Sequence, residues 1–112
     1  MKLFVTRGDT MPLKFQRKDA GGEVITTNPT EMTLTVKSSW GVEKALICKH
    51  LADMTKDEEN VWHVVVQPAD TENLPYGSYV WDIEVVTSEY VCTIAKGELQ
   101  LTEEATWEEN RE

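Results

Sequence analysis

Apolar and polar residues alternate along much of this sequence, with a repeat of two rather than the longer repeat of a helix. Two segments, 31–38 and 78–85, show the alternation most clearly. Their apolar positions are Met32, Leu34 and Val36 in the first segment and Tyr79, Trp81, Ile83 and Val85 in the second. Because successive side chains of a strand point to opposite faces, each segment is expected to bury one face and expose the other.

Further short stretches combine alternation with β-branched or aromatic residues, which favour strands. They are residues 2–6, 11–18, 45–48, 61–67 and 90–101. Within 61–67, the expected buried face is Trp62, Val64 and Val66. Residues 49–60 are polar and predict mainly loop, and residues 69–73 predict a single helical turn between two sheets. About seven strands, separated by turn signals, predict an all-β fold, an immunoglobulin-like antiparallel β-sandwich.

For the last predicted strand, residues 90–101, the sequence allows two different buried faces. Cys92 and Ile94 lie on one face of an ideal strand, whereas Leu99 and Leu101 lie on the other. Either a β-bulge at Lys96-Gly97 changes the face, or the inner face runs unbroken. In the second case its residues are Val91, Thr93, Ala95, Leu99 and Leu101.

The turn before segment 78–85 predicts a structural corner. Pro75 fixes its φ angle and Gly77 tolerates positive φ, so the chain reverses here. Tyr79 is a candidate tyrosine-corner residue, and Trp81 stands two positions later, where antibody domains carry a cysteine. We expect Trp81 and Trp62 to lie at the centre of the core.

Length and charge limit the classes of function. The 112 residues suit one domain, predicted as residues 1–101 and followed by an acidic tail, 102–112. A net charge of −9 disfavours nucleic acid and membrane surfaces as partners. The apolar start is too short for a signal peptide, so a cytoplasmic location is expected.

Residues that could carry out catalysis or bind metal are few and scattered. Cys48, His50, His63 and Cys92 could ligate a soft metal, but their spacing is typical of no zinc motif. Free, partly buried thiols are expected instead of a disulfide. The sequence therefore predicts no metal, no cofactor and no enzyme activity.

Two further motifs have simple structural explanations. Asp82 and Glu84 share a strand face and could act as paired carboxylates, but the wet face of a sheet explains them equally. Arg7-Gly8-Asp9 is the integrin-recognition tripeptide, yet glycine and aspartate between strands are also what a turn requires. We expect Arg7 and Asp9 to form a surface ion pair across this turn.

The order of turns and strands resembles the immunoglobulin-like domains of phage tails and baseplates. The matching stretches are residues 6–10, 19–23, 33–37, 70–84 and 93–99. Such domains occur at the N-terminus of baseplate upper proteins and in small prophage-encoded proteins. The resemblance implies a virion structural role in a tail or baseplate, through contacts with other tail proteins or with further copies of this chain.

Exposed aromatic residues are the candidate contact points. Trp40 and Tyr76 lie in predicted turns, and Trp107 stands among acidic residues of the tail. Such side chains can anchor a protein interface. They can also stack on sugars, so the alternative function is a receptor- or carbohydrate-binding module.

Overall fold

The computed structural model describes residues 2–103, so residues 104–112 of the predicted tail, including Trp107, lie outside the described residues. Within the described residues, eight strands, a 3-10 turn and one short helix follow each other. The strands are β1 (Lys2–Thr6), β2 (Met11–Gln16), β3 (Glu31–Lys37), β4 (Ile47–His50), β5 (Thr55–Lys56), β6 (Val61–Val66), β7 (Gly77–Val86) and β8 (Val91–Thr102). The 3-10 turn spans Leu51–Asp53, and the helix α1 spans Pro68–Thr71.

The strands form two sheets. The larger has the order β1-β8-β7-β3-β4, and the smaller has the order β2-β6-β5. All pairs are antiparallel except β1 and β8, which are parallel. The β-sandwich prediction is therefore confirmed, with one parallel pair at an edge of the larger sheet.

The core lies between the sheets, where the alternating residues meet. The predicted inner residues of β3, β6 and β7 are all buried, and Trp62 and Trp81 are each only 4% exposed. The indole nitrogen of Trp81 donates a hydrogen bond to the carbonyl of Glu98 at 3.0 Å. Burying a large aromatic side chain contributes up to about 3 kcal/mol, so these tryptophans are major contributors to stability.

The structure gives β8 a third arrangement, different from both sequence alternatives. Ile83 pairs with Ala95 and Glu84 pairs with Thr93, so the extra residue of the bulge is Ile94. Gly97 then continues on the inner face toward the buried Leu99 and Leu101. The bulge turns Val91 outward, where 65% of it is exposed. It lies in the half of β8 that β1 does not pair, since β1 reaches only from Glu98 to Thr102.

The residues predicted to form a corner lie where the chain crosses between the two sheets. The chain crosses from β6 in one sheet through α1 to β7 in the other. Gly77 adopts a φ of 138°, a region that glycine alone adopts easily. The hydroxyl of Tyr79 donates a hydrogen bond back to the carbonyl of Pro75, as a tyrosine corner requires. Burial raises the pKa of Tyr79.

Both cysteines are free, and both are exposed rather than partly buried. Cys48 alternates with Ile47, which turns inward and is buried. Cys92 lies beside the bulge, at the open edge of the sandwich. Cys48 is exposed because it lies on the outer face of its strand, opposite Thr35, whereas Cys92 is opposite the buried Val85 and is exposed because it lines an open concavity.

Candidate binding surfaces

An aromatic and basic surface lies on the outer face of the larger sheet. Trp40 leaves the turn after β3 and borders a shallow hollow of about 560 Å³ with Lys2, Lys96, Gly97 and Glu98. Trp40 is 54% exposed, so its ring is available for contacts. This confirms that Trp40 is an exposed aromatic residue.

Phe4 extends this surface along β1. It is 64% exposed, and the ammonium of Lys2 lies 5.5 Å from the centre of its ring. The ammonium of Lys96 lies 6.0 Å from the centre of the Trp40 ring. The exposure of Phe4 was not predicted from the sequence, although Leu3 and Val5 occupy the inner face of β1 and Phe4 points outward between them. We call Lys2, Phe4, Trp40, Lys96 and Glu98 the Trp40 surface.

The charge of the Trp40 surface differs from that of the chain as a whole. Two lysines and one carboxylate line the hollow, and the Lys2 ammonium is 4.0 Å from Glu98. A further lysine and a further carboxylate, Lys37 and Asp82, lie on the other side of Trp40, so the balance remains positive by one charge. The protein carries a net charge of −9, so a locally basic surface around two exposed rings is unusual for its composition. It favours an occupant with negative charge and apolar or planar groups.

Tyr76 directly precedes the first residue of β7 and is not part of the Trp40 surface. Its ring is 45% exposed, but the guanidinium of Arg7 covers it at 4.1 Å from the ring centre. Arg7 also donates to the carbonyl of Leu74 at 3.4 Å. The expected ion pair with Asp9 is absent from the described residues, because Arg7 is held by Tyr76 and Leu74 instead.

A second concavity opens between β2 and the free half of β8. Phe15, Ile25, Ile94 and Ala95 form its apolar wall, and its volume is about 380 Å³. Arg17 and Tyr90 also line it, and both continue into a polar hollow beside the turn at residues 87–90. We call this concavity the Arg17 groove.

Arg17 is unusual because it is only 3% exposed. Its Nη1 donates to the carbonyl of Thr27 at 2.9 Å, and its Nη2 donates to the hydroxyl of Tyr90 at 3.3 Å. Within residues 2–103 its Nε has no hydrogen-bond partner, and no carboxylate forms an ion pair with it. The burial of Arg17 was not predicted from the sequence, although position 17 lies on the same strand face as Phe15.

The possible metal ligands do not converge. Cys48 Sγ lies 3.4 Å from His50 Nε2, as expected for neighbours on one strand face. His63 instead approaches Asp57, with 2.9 Å between Nε2 and Oδ2. Among residues 2–103 no three His, Cys, Asp or Glu side chains are grouped so that they could hold a metal ion.

Asp57 stabilises a hairpin rather than forming part of a site. Its Oδ1 accepts hydrogen bonds from the backbone N–H groups of Glu59, at 2.8 Å, and Val61, at 3.1 Å. The hydrogen bond with His63 and these backbone bonds lower the pKa of Asp57. Asp82 and Glu84 lie on the outer face of β7, opposite threonines of β3, which fits a solvated sheet face.

Comparison with known proteins supports the fold but not the expected family. No family model and no curated protein matches the sequence. Among solved structures, the chain is similar to CopC from Methylosinus trichosporium OB3b, with a TM-score of 0.52 and 15% identity. The similarity covers 95% of this chain and 88% of that one. At this identity it shows a shared β-sandwich architecture and nothing about function.

The resemblance to phage tail and baseplate domains is therefore wrong. The stretches that suggested it are turns followed by alternating strands, and these features recur in unrelated β-sandwiches. CopC is one such β-sandwich, and none of these comparisons supports a phage, prophage, virion, tail or baseplate protein. No helix within residues 2–103 is long and apolar enough to span a membrane.

Proposed function

We propose that this protein is a non-enzymatic binding module that contacts an acidic partner protein through the Trp40 surface. The observation that carries the proposal is the pair of exposed rings, Phe4 and Trp40, each with a lysine ammonium within about 6 Å of its centre. Self-association remains a separate prediction.

Physical chemistry supports a protein as the occupant. Tryptophan is enriched among residues whose truncation weakens interfaces most. Lysines around such a ring attract carboxylates and reject basic surfaces, which gives specificity as well as a faster encounter. Phe4 is held on the paired strand β1, so little ordering of its ring is needed when the partner binds, and Trp40 lies in the turn that follows β3.

The test compares three variants in affinity purification from the source organism, followed by titration calorimetry with each purified partner. Trp40→Ala is expected to weaken binding by about 2 kcal/mol, the loss typical of an interface hot spot. Lys96→Glu should also weaken binding, because the new carboxylate repels an acidic partner. This loss of affinity should grow as the salt concentration is lowered. Tyr76→Ala is the matched control, an exposed aromatic residue outside the surface.

Equal affinity of the Trp40→Ala variant and the wild type would overturn the proposal. So would loss of binding in Tyr76→Ala alone, since that would place the contact at the Arg7 end of the molecule. Circular dichroism of each variant checks that the fold is unchanged.

A carbohydrate-binding module is the second candidate, favoured by the exposed face of Trp40. Tyr76 is less suited to stacking on a sugar because Arg7 already covers its ring. A glycan array would test this function. Binding of a glycan that is lost in Trp40→Ala and kept in Tyr76→Ala would replace the protein partner with a sugar.

A further inference from the structure

We propose that the Arg17 groove binds a small aliphatic carboxylate, with the carboxylate on Arg17 and the apolar chain along the groove wall. This site is separate from the Trp40 surface and does not depend on the proposed function. The inference starts from the guanidinium, which is buried without an anionic partner in the described part of the chain.

Burying a charge is costly unless an opposite charge or a full set of hydrogen bonds compensates. Arg17 has one strong acceptor, the Thr27 carbonyl on Nη1. Within residues 2–103, the other side of its guanidinium, formed by Nε and Nη2, has only the hydroxyl of Tyr90 on Nη2, at 3.3 Å, and no hydrogen-bond partner on Nε. These two N–H groups form a fork that matches the two oxygens of a carboxylate.

The surroundings of the fork select the rest of the ligand. The wall of Phe15, Ile25, Ile94 and Ala95 suits an alkyl chain, and a volume of about 380 Å³ lies in the range of small-molecule sites. Lys18 and Asp19 also line the groove and offset each other in charge, so Arg17 leaves it net positive. Glu89 lines the adjoining polar hollow instead.

Tyr90 is the group that must move when a carboxylate binds. Its ring lines both the groove and the polar hollow, and 45% of it is exposed, so it can swing outward without breaking the core. The carboxylate then replaces a neutral hydroxyl at 3.3 Å with an anionic acceptor, so that both the donor and the acceptor of the hydrogen bond are ionised.

Nuclear magnetic resonance can observe the Arg17 Nε–H group directly during titration with sodium octanoate. We expect a saturable shift of this signal with octanoate and none with 1-octanol, which has the chain but no charge. Acetate has the charge but no alkyl chain. It should bind more weakly than octanoate by a factor of about ten or more, because the apolar contacts are lost.

Two aspartate substitutions provide a matched pair that leaves Arg17 intact. Ile94→Asp places a negative charge in the groove wall and should weaken octanoate binding by about tenfold or more. Val91→Asp places the same charge on the same strand, outside the groove, and should leave the affinity unchanged. Tyr90→Phe removes the competing hydroxyl and should tighten binding.

The proposal is overturned if octanoate leaves the Arg17 signal unmoved, or if 1-octanol binds as tightly as octanoate. Equal weakening by Ile94→Asp and Val91→Asp would also overturn it, because the effect would then be one of overall charge. In each of these cases the role of Arg17 is structural, and its hydrogen bonds join the backbone at Thr27 to the side chain of Tyr90.

Discussion

A single hydroxyl group closes the corner between the two sheets. Tyr79 is buried, and its hydroxyl donates to the carbonyl of Pro75 four residues earlier. The bond joins the start of β7 to the turn that brings the chain out of α1. The corner therefore depends on one side chain that the sequence alone made recognisable.

Tyr79→Phe should destabilise the protein by about 1 to 3 kcal/mol, because it leaves a partly buried carbonyl without its donor. Urea unfolding followed by tryptophan fluorescence measures the change. Tyr76→Phe is the matched control and should have almost no effect, since Tyr76 makes its main contact through the ring. Equal losses in the two variants would contradict the role of the corner hydrogen bond.

Asp57 couples the stability of its hairpin to pH. Its pKa is lowered by His63 and by backbone N–H groups, so the folded state favours the carboxylate. The stabilisation is present above the ordinary pKa of aspartate, near 4, and is lost as the pH falls through the lower folded value.

Asp57→Asn should therefore be less stable than the wild type at pH 6, and the difference should shrink as the pH falls below about 4. Thermal unfolding over this range measures it. Asp53→Asn is a useful comparison, since the Asp53 carboxylate also accepts a hydrogen bond from a backbone N–H, that of His50, but within residues 2–103 it forms no ion pair with an imidazole ring. A constant difference for Asp57→Asn down to pH 2 would contradict the coupling.

At the scale of elements, Gly77 tests why β7 begins where it does. An added Cβ would meet no atom within 4 Å, so space does not limit this position. The φ of 138° does limit it, because side chains other than that of glycine rarely adopt this conformation. The first position of β7 therefore favours glycine because of its backbone conformation, not because of limited space.

Gly77→Ala should cost about 1 to 3 kcal/mol of unfolding free energy through backbone strain alone. Gly21→Ala is the matched control, because Gly21 lies in a turn without positive φ. Chemical denaturation of both variants gives the comparison. If Gly77→Ala is as stable as the wild type, the strain argument fails.

The elements also show how far the sequence could predict this fold. Alternation identified β3, β6 and β7 with their buried faces, because strict two-residue repeats leave one choice of face. It could not place the bulge at Ile94, since a bulge depends on the pairing with Ile83 and Glu84 across the sheet. The two-residue strand β5 was missed for the same reason, as it exists only through its pairing with β6.

The binding surfaces were harder to predict than the fold. Trp40 was recognised as an exposed ring, but its proximity to Lys2 and Lys96 depends on how β8 lies between β1 and β7. Arg17 continues the inner face of β2, yet its lack of an anionic partner among residues 2–103 becomes visible only in three dimensions. The phage resemblance failed because it rested on turn and strand patterns that many β-sandwiches share.

On the scale of the whole molecule, charge distribution connects the fold to the proposed function. The chain carries a net charge of −9, whereas the Trp40 surface is locally basic. An acidic partner would therefore be repelled by most of the molecule and attracted at one place. Such an arrangement orients the partner before contact, and the association rate should fall as salt is added.

Hydroxyl-radical footprinting of the complex with a purified partner tests this account most directly, because it reports the exposure of individual side chains. The account predicts that the partner lowers oxidation of Trp40 and Phe4 and leaves that of Tyr76 and Tyr90 unchanged. Protection of Tyr76 or Tyr90, with Trp40 and Phe4 still as reactive as in the free protein, would contradict it.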